Sequence, residues 1–310
     1  MNKFIAIFIL VPTLYVTSAN AQVYNWADGE KPFDPDSVQG LYVGLNLGYY
    51  FANKGSAVMY SGYGFDRDGA RLNFANSWLN IAIQGNPEFE RRTSELIGVD
   101  QDQWQFTESD MPGEMRYSPS FMYGGHLRYM FNADFGVFAE VNGTNPVTVS
   151  QFTIQTFVQS PNPAFNEPLR TFQIRGEEQR LMIQMGIHRV MGRKSKERQG
   201  KSGSLLPYFD LGFNSTFVKF EQNFISLNEN FPPIDLTVFY NQQGLFIDEA
   251  RVLTGVGFGG FGSLGGQLQI GSKFTINMGY MASLEQIKLG EFNQRSLQHI
   301  LMFRAIYLTF

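Results

Sequence analysis

Residues 274–284 read F-T-I-N-M-G-Y-M-A-S-L. In an extended chain Phe274, Ile276, Met278, Tyr280, Ala282 and Leu284 fall on one side, and Thr275, Asn277, Gly279, Met281 and Ser283 on the other. A period of two is the mark of a strand, here with one apolar face and one small or polar face. The same alternation recurs along the chain, while no later stretch reaches the roughly 18 consecutive apolar residues of a membrane-crossing helix. The other structure that satisfies every backbone donor and acceptor inside lipid is a closed β-barrel. Composition agrees: charged residues are 17%, low for a soluble chain, and aromatics reach 15% with 32 glycines, as aromatic girdles and a tightly packed lumen require.

Residues 1–21 read as a secretory signal. Lys3 gives the positive start, 4–16 the apolar core, and Ala19-Asn20-Ala21 the cleavage site. Removing Lys3 takes the net charge from −4 to −5, a poor balance for nucleic-acid binding. The absence of cysteine excludes a disulfide framework and a thiolate metal site. Residues 22–39, with Pro32 and Pro35 among acidic residues, read as a short periplasmic leader, and 40–310 as the barrel.

Eight strands are expected, near 40–52, 118–131, 135–157 (with a break at Pro146), 170–191, 207–220, 251–270, 274–287 and 295–310. Val43, Leu45 and Leu47 would face lipid in the first, with Tyr42, Asn46 and Tyr50 inward. The register of the last strand stays open, because both its faces are apolar around Arg304. An even strand count closes an antiparallel up-and-down barrel. Short periplasmic turns are expected at 132–134, 192–206 and 271–273, and long extracellular loops at 53–117, 158–170, 221–249 and 288–294. Inside 53–117 one helix is predicted. Asn86 caps it, Pro87 opens it, Glu88 and Glu90 fill its first turn, and Gly98 stops it. Asp66-Arg67-Asp68-Gly69 carries part of a calcium-loop spacing, with too few ligands for a metal site.

The tight inner turns, glycine-rich strands, signal and terminal Phe310 resemble the small eight-stranded outer-membrane barrels of the OmpA, OmpX and OmpW-like group. The run V-G-F-G-G-F-G-S-L-G-G-Q-L at 256–268 is similar in texture to porin-family or PorT-like barrels of Bacteroidota. The resemblance implies a Gram-negative outer-membrane location after Sec export, contact with outer-membrane lipid, and insertion by the barrel-assembly machinery.

Two residue groups are candidates for function. His126, Arg128, Glu140, Glu178, Arg180 and Asp210 all point inward and are expected to pair as a polar network that plugs a narrow lumen. Tyr60, Tyr63, Phe65, Phe74, Trp78, Phe89 and Trp104 put many large rings into the 53–117 loop, where they either anchor an envelope protein partner or cap the mouth. The expected function is non-enzymatic, structural or partner-binding, without cofactor or metal. The alternatives are a narrow conduit for small or hydrophobic molecules, as in OmpW-like barrels, and a lipid-modifying enzyme. The last is disfavoured because no serine follows His126 at the spacing a lipid deacylase uses, and neither His188 nor His299 has an evident hydroxyl partner.

Overall fold

The computed structural model describes residues 39–65, 69–157, 168–191, 205–236, 253–270, 273–290 and 292–309, all within the unit Phe33–Phe310. The signal at 1–21, the leader up to residue 38, Asp66 to Asp68, the basic turn at 192–204 and Phe310 lie outside these residues. So do 158–167, 237–252 and 271–272 of the connections.

Twelve strands are present among the described residues: β1 (Gly40–Phe51), β2 (Trp104–Gln105), β3 (Arg116–Tyr117), β4 (Ser120–Met130), β5 (Phe135–Thr144), β6 (Val147–Thr156), β7 (Leu169–Val190), β8 (Leu205–Ser226), β9 (Ile234–Asp235), β10 (Thr254–Ile270), β11 (Phe274–Leu289) and β12 (Phe292–Leu308). Eight of them pair antiparallel in a cycle, β1–β4–β5–β7–β8–β10–β11–β12, and β12 returns to β1. This is a closed barrel of eight staves. The four additional strands have simple origins. β6 continues β5 beyond Asn145-Pro146 and pairs with the far half of β7, while β2, β3 and β9 are two-residue pairings of connecting segments. A proline lacks the donor that an unbroken ladder needs, so the stave bends there.

Residues facing out and in follow the alternation strand by strand. Leu45 and Leu47 are exposed where Asn46 is buried, and Tyr129 is exposed between buried Arg128 and Met130. The last strand takes a definite register, with Arg304 opposite Asn46 on one side and Asn277 on the other, its side chain inward. Exposed aromatic pairs mark both rims of the outer surface: Tyr49 with Phe121 near one end, and Tyr129, Phe131 and Phe135 near the other. The Phe131–Phe135 turn is held by Asn132, whose side chain accepts from the backbone nitrogens of Asp134 and Phe135 at 2.9 Å. Below, the end carrying this turn is called lower and the opposite end upper.

Several expected boundaries shift. At the upper end β8, β11 and β12 are longer than expected, at the lower end β8 begins at Leu205 rather than 207, and β7 matches its expected span to within one residue. β8 runs on to Ser226 where a loop from 221 was expected. β11 and β12 pair from Leu289 opposite Phe292, so the expected loop at 288–294 is a tight hairpin with Gly290 at φ 59°. β7 is 22 residues long, about twice the roughly 9–11 residues that cross a bilayer.

The overhang follows from an inversion of polarity. On lower β7, Met185 and Ile187 face out and Gln184 and His188 face in; on upper β7, Arg175 and Glu177 face out and Ile174 faces in. On β8 the outward series changes from Phe213 and Phe217 to Lys219 and Glu221, and the inward series from Asn214 and Thr216 to Val218 and Phe220. On β11 the change falls between Leu284 and Gln286 outside. Below this boundary the outer wall is apolar and the interior largely polar. Above it the wall is polar and the interior apolar, as for any protein in water.

Segment 53–117 fills that apolar upper interior. The predicted helix is α3 (Pro87–Ile97), capped by Asn86, which accepts from the nitrogens of Glu88 and Phe89 at 3.0 Å, and ended by Gly98 at φ 65°. Two further helices were not predicted: α1 (Lys54–Ala57), capped by Asn53, and α2 (Trp78–Gln84), capped by Ser77.

Candidate functional site in the lumen and its cap

The staves are near neighbours of their partners, yet the decisive contacts cross between strands that do not pair. Arg304 on β12 donates from Nη1 to Asp210 Oδ2 on β8 at 2.6 Å and from Nη2 to Glu140 Oε1 on β5 at 3.2 Å. Glu140 also accepts from Asn46 on β1 at 3.0 Å and lies 3.0 Å from His126 Nδ1. Asp210 also accepts from Ser263 at 2.9 Å and lies 2.6 Å from His188 Nδ1. Arg128 Nη1 is 3.1 Å from His188 Nε2. Asn46 donates on to Asn142, which donates to Gln184, both at 2.9 Å. One arginine thus ties three walls together at the level of Asn46.

Apolar side chains adjoin this network: Met122, Met182, Phe261, Met281 and Met302, together with Phe138, which lies opposite Arg128 and stacks on His126. Phe138 and Phe261, on opposite walls, approach to 6.0 Å between ring centres. Gly265 makes space for another ring lower down, since a Cβ there would meet the Tyr208 ring at 2.7 Å. In a narrow lumen, inward glycines admit large neighbours in this way.

A second polar layer closes the top of the barrel. Arg180 pairs with Glu178, with Nε to Oε1 at 2.6 Å, and donates to the Tyr50 hydroxyl at 2.6 Å and to Ser56 of α1 at 3.1 Å. Tyr50 donates to Glu285 at 3.0 Å, as Thr216 does at 3.2 Å. Tyr60 of the cap reaches down to donate to Glu178 at 2.9 Å, and its ring stacks on Phe220 at 5.1 Å. Gly176 is the seat of that ring: a Cβ there would fall 2.1 Å from it.

Above this the cap packs as a protein core. Met59, Leu79, Ile83, Ile97, Phe106 and Met115 meet Phe152, Ile174, Val218, Ile225, Ile287 and Leu289 from the overhanging staves. Trp104 Nε1 donates to Ser94 at 2.8 Å, and Thr93 donates to the Ile83 carbonyl at 2.8 Å. Asp110 binds the cap to β6. It accepts from Thr153 at 2.8 Å and Gln155 at 3.1 Å, and closes a capping box with the Thr107 nitrogen at 2.9 Å. Burial raises its pKa, but these hydrogen bonds outweigh it and hold the carboxyl below its ordinary value. Glu114 is held down to about 2 by hydrogen bonds from Lys54 and Arg116.

The six inward candidates divide into two groups. His126, Arg128, Glu140 and Asp210 belong to the lower layer, and Glu178 and Arg180 to the upper one. All six are buried. Arg304, Asn46, Tyr50 and Glu285 complete the layers; Asn46 and Tyr50 were expected to face inward but not as members of the network, and Arg304 and Glu285 were not among the candidates. Arg304 carries a signal that was available: a lone charge within the apolar run 300–308 belongs on the side away from lipid.

The seven loop aromatics require a correction as a partner-binding surface. Tyr60, Tyr63, Trp78, Phe89 and Trp104 are buried, and Phe65 and Phe74 pack against the same core. The physical reason is the overhang, which supplies an apolar inner wall for them to cover. No group of three or more metal-binding side chains occurs among the described residues. His188 Nε2 meets Arg128 and Gln267, and Ser263 donates to Asp210 rather than to a histidine.

The sequence matches no family model and no curated protein. Among solved structures it is similar to the outer membrane protein OprG from Pseudomonas aeruginosa, at 10% identity and a TM-score of 0.37, covering 89% of this chain and 97% of that one. It is also similar to the attachment invasion locus protein Ail of Yersinia pestis, at 13% identity and a TM-score of 0.31, covering 86% and 98%. The N-terminal β-barrel domain of Pseudomonas aeruginosa OprF aligns at 10% identity with a TM-score of 0.27, covering 62% and 90%.

Proposed function

We propose that this chain is a non-enzymatic β-barrel of the Gram-negative outer membrane whose lumen is sealed by its own side chains and whose outer mouth is covered by its own cap. The observation that carries the seal is Arg304, which bridges Asp210 and Glu140 on walls that do not pair with its strand. Placement in lipid is supported by the closed ring and by the outer wall, apolar below the boundary and polar above it. With the upper end outside, the cap and the overhanging strands stand in external water. The aromatic rings of 53–117 are consumed in the cap. An envelope partner is therefore met by the polar outer side of the cap, such as Glu88, Arg91 and Glu95 on α3, rather than by the rings.

One observation favours the narrow-conduit reading as the second choice. In the lower lumen Arg128 Nε and Nη2, Tyr208 OH, His126 Nε2 and both side-chain polar atoms of Asn277 are buried without a hydrogen-bond partner among the described residues. Such atoms call for water, so the lower chamber is read as hydrated. Conductance in planar bilayers separates the two readings. The sealed barrel gives no current steps above those of bare lipid, and still none when 53–117 is replaced by a short turn, because the Arg304 and Met layers remain. Steps in the intact protein would favour the conduit.

A further inference from the structure

We infer that the outer face of the β11–β12 hairpin binds a phosphorylated lipid of the surrounding outer leaflet. The inference rests on the membrane reading above. Just above the polarity boundary, Lys288 and Arg295 both point outward and are exposed. Lys288 lies opposite Asn293 and Arg295 opposite Gln286, so the two cations are diagonal neighbours on one face. Diagonal neighbours stand about 7–8 Å apart, within reach of two long side chains closing on one phosphate.

Several cations of the polar upper region are neutralised locally: Arg175 by Glu177 at 2.7 Å, Lys219 by Glu221 at 2.6 Å, and Lys54 and Arg116 by Glu114. Among the described residues Lys288 and Arg295 have no such partner. Gln286 donates to Asn293 at 2.8 Å, which occupies the amides between them with each other and leaves the cations free to reach outward.

What lies beneath them fixes the kind of anion. The next outward pair is Leu284 opposite Leu297, in the apolar wall. Below it comes a polar pair set in that wall, Tyr280 OH to His299 Nδ1 at 2.5 Å. His299 is four residues below Arg295, about 10 Å along the membrane normal for a tilted strand. A soluble anion has no use for that column. A lipid does: phosphate at Lys288 and Arg295, ester or hydroxyl oxygens at His299 and Tyr280, and acyl chains on Leu284 and Leu301. The bilayer's own polar zone has this vertical order.

The test uses the full-length chain folded in phosphatidylcholine nanodiscs, with lipid A as the probe and native mass spectrometry as the readout. The expected result is retention of one lipid A in preference to phosphatidylcholine. Affinity should fall roughly thirtyfold in the Lys288→Ser/Arg295→Ser double variant, the effect of removing two cations from an anionic lipid contact. His299→Ala should lower it by a smaller factor. Equal lipid A binding by the wild type and the double variant would overturn the proposal, as would a wild type indifferent to the two lipids. Both proteins should show the gel mobility shift on boiling that marks a folded barrel. A chain that shows no shift and does not enter the nanodisc would overturn the membrane reading and this site with it.

Discussion

Arg304 shows how a single residue sets the interior. Its guanidinium is fully buried, carries two carboxylates on different walls, and lies 5.5 Å from the centre of the Phe138 ring. Removing one member of such a cluster leaves the others charged, buried and unpaired, at a typical cost of about 3–5 kcal/mol. Arg304→Met, close to it in length, should therefore destabilise the barrel by about that amount, seen as a lower urea midpoint for unfolding from lipid vesicles. The double variant with Asp210→Asn should recover part of the loss. The residue scale is also where the sequence was most readable and where its limit appears. His126, Arg128, Glu140 and Asp210 stand out because their strands keep a strict apolar–polar alternation. Arg304 does not, because its inward neighbours Met302 and Ile306 are as apolar as the lipid face, and alternation carries no signal when both faces are apolar. Glu285 was missed for a different reason: it lies within the expected strand 274–287, but the inward side of that strand was read only as far as Ser283.

At the scale of elements, the inversion of polarity explains both what was found and what was missed. Strand periods were legible where the outside was lipid and the inside polar, which excludes the last strand around Arg304. Above the boundary, Val218, Phe220, Ile225 and Ile287 point inward and charged residues point outward; the continuation of β8 past 220 and the β11–β12 hairpin were read there as loops, while the upper half of β7 was expected as strand within 170–191. Helix α3 was legible because it has a full cap, a first-turn proline and a glycine stop. Helix α2, seven residues long, is too short to display a period, and tertiary packing of Trp78, Leu79 and Ile83 fixes it. The tie between cap and strands gives a pH prediction. Asp110 has a lowered pKa in the folded protein, so its contribution is complete above the ordinary carboxylate value and is lost as pH falls through the lower, folded one. Amide protection factors at Thr153 and Gln155 should fall on acidification through that window. In Asp110→Asn they should be reduced already at neutral pH and show no further acid-dependent loss there.

For the whole molecule, the claim is a closed eight-stave ring with lipid outside, a filled lumen and a folded cap over its upper mouth. The count of eight staves, their order and, in all but the last strand, the separation of inner from outer faces were legible, since closure and alternation are properties of the chain's own pattern. Which side chains meet across the lumen was not, because contacts between β12, β5 and β8 depend on the shear of the closed ring, which no single strand encodes. The most direct measurement exploits a chain without cysteine, in which single thiols report cleanly. Leu45→Cys, Asn46→Cys and Lys288→Cys would be reconstituted in vesicles and exposed to a water-soluble maleimide and to one dissolved in the bilayer. The account predicts that Lys288→Cys is labelled from water, Leu45→Cys from the bilayer alone, and Asn46→Cys from neither. Labelling of Asn46→Cys by the water-soluble reagent would show an open bore, and labelling of Leu45→Cys by it would show that the outer wall does not lie in lipid.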